Sequence, residues 1–244
     1  MSASPITAPC PAAACLARPR RRRLLLALAA SVLVGPLAGG VPSAHATPGL
    51  DRMQRLAAER YGVQAQTLVA AWRQLLEELA ELEAFEQLTR VNTFFNRRIR
   101  FESDIDIWNE ADHWATPLET MGRGAGDCED FTIAKYMTLQ LAGMPNERLR
   151  LIYVRAQIGR ADSGISQAHM VLGYYPEPTA EPMILDNLVA DIHPAARRPD
   201  LVPVFSFNSE GLWVGGASAS SADPTARLSR WRDVLQRMRE QGLT

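Results

Sequence analysis

The sequence predicts an α+β fold in which helices come first and an antiparallel sheet follows. Apolar residues near the start recur at alternating spacings of four and three, which indicates an amphipathic helix packed on the domain; they are Leu68, Trp72, Leu75, Leu79 and Leu82. Short apolar runs separated by turn residues then occupy most of the chain between residues 149 and 214, a pattern typical of strands.

The other helices are predicted from local signals. Residues 50–61 and 91–99 favour helix, whereas residues 101–126 are expected to form an acidic loop that ends in a glycine-rich run. From Cys128 the residues favour a helix up to Gly143. Its apolar residues fall on more than one face, so this helix is expected to be central and buried.

Strands are predicted at residues 149–157, 168–175, 183–188, 201–207 and 212–214. Residues 215–221 are rich in glycine, serine and alanine and are interpreted as a linker. Asp223 as the N-cap and Pro224 as the first helical residue then predict a final helix. Its inward side is expected to carry Leu228, Trp231, Leu235 and Met238.

Residues 1–46 have the composition of a signal peptide. Arg18 and the run 20–23 form a basic region, residues 24–38 are apolar, and Ala44-His45-Ala46 gives a small-x-small cleavage pattern. A membrane anchor is the alternative, but the apolar run is shorter than the ~20 residues that a bilayer span needs. We therefore expect export with cleavage after Ala46, one domain over residues 47–244, and no membrane span in the mature protein.

The charge of that mature chain argues against one class of partner. Five arginines lie in the segment to be removed, so the 26 basic residues of the whole chain fall to 21 against 27 acidic residues. A mildly acidic chain gives no support for binding to nucleic acid.

The cysteines give the first indication of chemistry. Cys10 and Cys15 lie in the predicted signal peptide, so Cys128 would be the one thiol left and could form no internal disulfide. It is either a buried, inert residue or a nucleophile. Its place between a glycine-rich loop and a helix start favours the nucleophile, because free N–H groups and the helix dipole stabilise a thiolate there.

A nucleophilic thiol needs a base and a group that orients the base. Of the remaining histidines, His169 begins a strand-like run, whereas His113 lies in a loop and His193 precedes a proline. His169 is therefore the preferred base. Asp186 follows a short apolar strand and is the preferred orienting group, with Asn187 as the alternative.

Three short blocks carry a resemblance to a known family. The blocks 126–131, 167–172 and 185–188, with weaker matches at 114–119 and 200–213, resemble the motifs of the bacterial transglutaminase-like cysteine proteinases, in particular the periplasmic type. The resemblance implies a papain-like fold and a triad of Cys128 as nucleophile, His169 as base and Asp186 as orienting group. Residues 47–100 would then be a helical N-terminal part, 101–214 the catalytic core and 222–244 a C-terminal helix.

The resemblance also implies calcium dependence, a periplasmic location and a large cell-surface adhesin as substrate. The adhesin would be cut near its N-terminus to disperse a biofilm, and an inner-membrane cyclic-di-GMP receptor would sequester the protease. Two other functions stay open: acyl transfer to an amine, as in true transglutaminases, and a non-catalytic calcium-binding module.

Three carboxylates flank the thiol, and they give a physical reason for a cation. Asp127, Glu129 and Asp130 are expected to disfavour a thiolate, and bound Ca²⁺, which prefers oxygen ligands, would reverse this. Alternatively, they are acids of a first helical turn, where the dipole favours them. Asp104 and Asp106, or Glu110 and Asp112, could add ligands, but a solvated loop is the preferred interpretation of both pairs.

Overall fold

The computed structural model describes residues 48–159, 163–215, 217 and 220–243, so the predicted signal peptide and its cleavage site lie outside the described residues. The helices formed by these residues are α1 (Pro48–Tyr61), α2 (Val63–Leu79), α3 (Ala84–Arg98), α4 (Asp104–Trp108), α5 (Pro117–Arg123), α6 (Cys128–Leu141), α7 (Pro224–Arg227) and α8 (Ser229–Gln241). None of the helices in this part of the chain combines the length and the apolarity needed to cross a bilayer.

The strands in the same part of the chain are β1 (Arg100–Phe101), β2 (Ala125–Gly126), β3 (Leu149–Gln157), β4 (Ser166–Tyr174), β5 (Met183–Leu185), β6 (His193–Pro194), β7 (Leu201–Phe207) and β8 (Leu212–Val214). Strands β3 to β8 form a six-stranded sheet in the order β6-β5-β4-β3-β7-β8, and all neighbours in it are antiparallel. The predicted α+β fold with an antiparallel sheet is confirmed.

Helix α6 lies at the centre of the core, as its sequence predicts. It packs against α3, α5 and strand β4, and its side chains are buried from Asp130 to Leu139. One polar contact inside this packing fixes its position: the indole N–H of Trp72 on α2 donates to the Thr138 hydroxyl at 2.8 Å. Because both groups are buried, the hydrogen bond helps to specify one arrangement of the two helices.

The expectation of a loop over residues 101–126 is wrong. Thr116 caps α5 through a capping box with Glu119, and Pro117 occupies the first helical position, so this segment carries its own start signal. Strand β1 pairs in parallel with β2, with Arg100 opposite Ala125. This short pairing fixes the backbone immediately before α6.

The start of the C-terminal helix was predicted correctly, but the structure has two helices, α7 and α8, where one was predicted. Asp223 accepts hydrogen bonds from the N–H groups of Thr225 and Ala226, but α7 ends after one turn. Leu228 has extended backbone angles, and α8 begins at the next residue. The separate short helix arises because Leu228 leaves helical geometry and packs against the core.

Other boundaries also differ from the prediction; among them, α3 begins at Ala84 instead of residue 91, and β5 ends at Leu185 instead of residue 188. His193 and Pro194, expected in a turn, form the edge strand β6 beside β5, a position where proline is tolerated because its missing N–H faces no partner. Leu82, which continued the apolar spacing of α2, lies beyond its last residue. Its N–H instead donates to the Leu79 carbonyl in a turn.

Candidate functional site

Cys128 occupies the first position of α6, where the sequence placed it. Asp127 is the N-cap and forms a capping box with Asp130, whose carboxylate accepts the N–H of Asp127 at 3.4 Å. The preceding Gly126 is required by close approach, since a Cβ there would lie 2.7 Å from the Cβ of Asp130. The glycine and the two aspartates together fix where the helix begins.

The Cys128 thiol is half-buried and donates a hydrogen bond to Oε2 of Glu129 at 2.6 Å. Burial raises its pKa most, and the charges of Glu129 and Asp127 raise it further, while a backbone hydrogen bond with Met170 lowers it. The flanking acids therefore disfavour the thiolate, as the sequence predicted. Together these effects favour the protonated form of the thiol.

His169 and Asp186 form a buried hydrogen-bonded pair. Nε2 of His169 lies 2.9 Å from Oδ1 of Asp186, and the two residues are only 2% and 1% exposed. Burial by itself would raise the pKa of Asp186, but hydrogen bonds from His169, the Leu188 N–H and Arg198 lower it to about 2. The carboxylate is therefore ionised beside the imidazole at neutral pH.

The alternatives considered for these two roles lie elsewhere. Neither side-chain polar atom of Asn187 has a hydrogen-bond partner among the described residues, whereas Asp186 contacts the imidazole. His113 stacks on Trp108 with ring centroids 4.4 Å apart, and His193 lies in the edge strand β6. The imidazole–carboxylate pair therefore consists of the two residues that the sequence favoured.

Helix α6, which begins with Cys128, packs on strand β4, which carries His169. The backbone of Met170, the residue after His169, hydrogen-bonds the Cys128 thiol. Thr132, one turn along α6, donates its hydroxyl to the Met170 carbonyl at 3.1 Å. The three predicted catalytic residues thus come from α6, β4 and the end of β5, and the thiol itself donates to Glu129.

A cluster of carboxylates lies beside the helix start. Oxygens of Asp104, Asp127 and Asp130 lie within 4.8 Å of one another, and Asp127, Cys128 and Glu129 form a second close group. The expectation that Asp104 lies in a solvated loop is wrong, because it is 5% exposed at the start of α4. Burial raises the pKa of Asp104 to about 6, and the pKa of Asp127 and of Asp130 is raised by burial and neighbouring carboxylates.

This donor set fits a hard cation. Oδ1 of Asp104 is buried and has no hydrogen-bond partner among the described residues, while Oδ2 accepts the His113 N–H at 2.6 Å. Buried carboxylates this close repel one another unless they are protonated or share a cation. Carboxylate oxygens are ligands that Ca²⁺ prefers, whereas the thiol is a soft ligand that it does not.

Sequence reasoning missed two cationic residues that contact Asp186. Lys135, the one lysine of the chain, donates from Nζ to the Asp186 carbonyl at 3.1 Å, and burial lowers its pKa to about 7. Arg198 donates to the Asp186 carboxylate at 2.9 Å. A lysine in a helix that was expected to be central and buried could have indicated Lys135, whereas no sequence pattern indicated Arg198.

Comparison with known proteins agrees with this geometry. The family model described as bacterial transglutaminase-like cysteine proteinase BTLCP matches residues 68–214. No curated protein matches the chain.

Solved structures of Legionella pneumophila LapG are similar over most of the chain. The EGTA-treated form is 39% identical with a TM-score of 0.68, covering 78% of this chain and 97% of that chain. The calcium-bound form is 39% identical with a TM-score of 0.65, covering 78% and 98%. By family match and by structural similarity, this chain belongs to the bacterial transglutaminase-like cysteine proteinases.

Proposed function

We propose that the chain is a calcium-dependent periplasmic cysteine endopeptidase in which Cys128 is the nucleophile, His169 the base and Asp186 the orienting group. One observation carries the proposal: a buried imidazole, hydrogen-bonded to an ionised carboxylate, lies on strand β4, against which α6 packs. Family membership supports the class of reaction. The proposed substrate is the N-terminal region of a large cell-surface adhesin, whose release would disperse a biofilm.

The proposed reaction assigns each step to one of these residues. Asp186 holds Nε2 of His169, which leaves the other ring nitrogen to take the thiol proton. The sulfur attacks the peptide carbonyl, and the imidazolium then protonates the leaving amine as the C–N bond breaks. His169 next deprotonates a water molecule, which hydrolyses the thioester and frees Cys128. Backbone N–H groups at the start of α6 are suited to stabilise the oxyanion.

The proposed calcium site consists of Asp104, Asp127 and Asp130, with Glu129 as a further ligand. The unpartnered oxygen of Asp104 and the close packing of the carboxylates support it. When bound, Ca²⁺ would compensate the negative charge that now opposes a thiolate at Cys128. Glu129 would connect the calcium site to Cys128, because its carboxylate accepts the hydrogen bond from the thiol.

Three parts of the proposal rest on resemblance to the periplasmic members of the family and on the predicted signal peptide. They are the adhesin substrate, the export of the chain and an inhibitory inner-membrane cyclic-di-GMP receptor. Membership of a proteinase family supports a protein segment as the substrate. The substrate and receptor assignments are therefore tested separately from the chemistry.

The central test is cleavage of the N-terminal region of a co-encoded repeat adhesin, with the new N-terminus mapped. We expect Cys128→Ala and His169→Ala to reduce cleavage by about 10⁴-fold or more, because members of a triad act as a unit. His193→Ala is the matched control, since this half-buried histidine lies in β6 and has no proposed role.

Three results would count against the proposal. Cleavage by Cys128→Ala would exclude the nucleophile, and full cleavage in excess EGTA would exclude the calcium dependence. Incorporation of an added amine into the substrate without fragment formation would instead indicate acyl transfer of the transglutaminase type.

A further inference from the structure

The carboxylate of Asp186 is held from two sides. Oδ1 contacts His169 and also accepts the backbone N–H of Leu188 at 3.0 Å. Oδ2, which does not contact the imidazole, accepts a hydrogen bond from Nη2 of Arg198 at 2.9 Å. The arginine therefore holds the half of the carboxylate that the histidine leaves free.

Arg198 is itself fixed by a second carboxylate. Its Nε lies 3.0 Å from Oδ1 of Asp200, and its Nη2 lies 2.7 Å from Oδ2 of the same residue. Nε and Nη2 of the guanidinium thus both donate to Asp200, and Nη2 also donates to Asp186. The single ammonium group of lysine cannot reproduce this geometry. Arg198 is 7% exposed, whereas the Asp200 side chain is 40% exposed, so the anchor lies at the surface and the contact with Asp186 inside.

The charges around Asp186 give Arg198 a specific role. The charged or titratable side chains that contact Asp186 are His169 on β4, Lys135 on α6 and Arg198, and Lys135 contacts its backbone carbonyl instead of its carboxylate. Arginine stays protonated at every pH at which a protein is folded, so it supplies a permanent positive charge to the buried carboxylate. Without it, the buried carboxylate of Asp186 would have the imidazole as its one side-chain partner among the described residues.

We propose that Arg198 is a positioning residue of the catalytic site: it holds Asp186 in the orientation that aligns His169, and Asp200 fixes Arg198. This inference rests on the proposed function. Arg198 touches neither the thiol nor a substrate, so it acts through Asp186.

Arg198 lies beside a cavity, so the inference can be tested by adding a small guanidinium compound to a variant that lacks the arginine. Nη1 has no hydrogen-bond partner among the described residues, and Arg198 lines a largely apolar cavity of about 320 Å³ on the far side of the sheet. Arg150 lines the same cavity and is 6% exposed, but its guanidinium stacks on Tyr175 and Trp213. Arg150 is therefore a matched control for the loss of a buried arginine.

The experiment compares Arg198→Gln with Arg150→Gln in saturating Ca²⁺. We expect Arg198→Gln to lower kcat for peptide cleavage by about 10-fold, with KM within about twofold, because it removes one charge-assisted hydrogen bond that orients the base. The acid limb of the pH profile should move towards neutral pH, since Asp186 becomes easier to protonate. Added methylguanidinium, which carries the same charged group, should restore part of the rate.

Three results would overturn the inference. The first is a loss of kcat in Arg198→Gln of less than about threefold. The second is a loss of kcat no larger than that in Arg150→Gln. The third is an acid limb of the pH profile that stays where it is in wild type. If Arg198→Gln does not fold, Asp200→Asn tests the same contacts from the exposed end, and an unchanged rate in that variant would be equally negative.

The rate of Cys128 alkylation by iodoacetamide at pH 7 separates this inference from the proposed function. A wild-type protein without Cys128-dependent cleavage would refute the proposed function. Alkylation, which needs an oriented imidazole but no peptide substrate, would then decide the role of Arg198. Equal alkylation rates in wild type and Arg198→Gln would refute it.

Discussion

Replacing Asp104 by asparagine should have opposite effects with and without calcium. Burial raises the pKa of Asp104 to about 6, against ~3.9 in an unfolded chain. Folding therefore favours the protonated carboxyl, and stability is lost as the pH rises between ~4 and ~6. A shift of about two units corresponds to about 3 kcal/mol of unfavourable free energy at pH 7.5, as an upper value. Asparagine has the same shape and can still accept the His113 N–H, but it carries no charge.

In EGTA at pH 7.5, Asp104→Asn should therefore be more stable than wild type by about 1–3 kcal/mol, or roughly 3–10 °C in Tm for a domain of this size. At pH 4, where Asp104 is protonated, the difference should vanish. In calcium at 100 times its Kd, wild type should gain about 2.7 kcal/mol by ligand binding, and the variant should gain less.

Thermal unfolding followed by circular dichroism measures all three conditions. Asp106→Asn is the matched control, because this residue lies on the same helix α4, is exposed and shows no close contact with the acidic cluster. A metal-free Asp104→Asn that is less stable than wild type at pH 7.5 would refute the reasoning. So would a calcium response equal to that of wild type.

Two other substitutions test the packing and the helix start. Thr138→Val should cost about 1–3 kcal/mol in urea unfolding, because the buried N–H of Trp72 loses its acceptor, while Thr138→Ser should cost less; equal losses would contradict this. Gly126→Ala should lower calcium affinity by about 10-fold in calorimetry, since its Cβ would meet Oδ2 of Asp130 at 2.9 Å. Unchanged affinity would mean that Asp130 is not a ligand.

The sequence predicted the elements whose signals are local. Helix α6 has a capping aspartate, an apolar interior and a glycine stop, with Gly143 at a φ of +92°. Strand β3 was placed at its observed bounds by its apolar run. The break at Leu228 could not be predicted in the same way, because its extended backbone depends on packing against the core.

Site residues could be predicted where the residue type is rare in the chain or where its position relative to a helix or strand can be read from the sequence. Cys128 is the one free cysteine of the described chain, and Asp186 closes a strand. Asp104 and Arg198 become part of the site only through tertiary contacts. Asp104 lies 23 positions before Asp127, and nothing in an acidic loop distinguishes a buried carboxylate from a solvated one.

The two interpretations of the acids at α6, helix caps or calcium ligands, are compatible in the structure. Asp127 uses Oδ1 to accept the Glu129 N–H, and Asp130 accepts the N–H groups of Ala115 and Asp127. These contacts hold the helix start without a cation. Under the proposed calcium dependence, chelation should therefore leave α6 folded and affect the charge beside Cys128, so loss of activity in EGTA should precede any loss of helix.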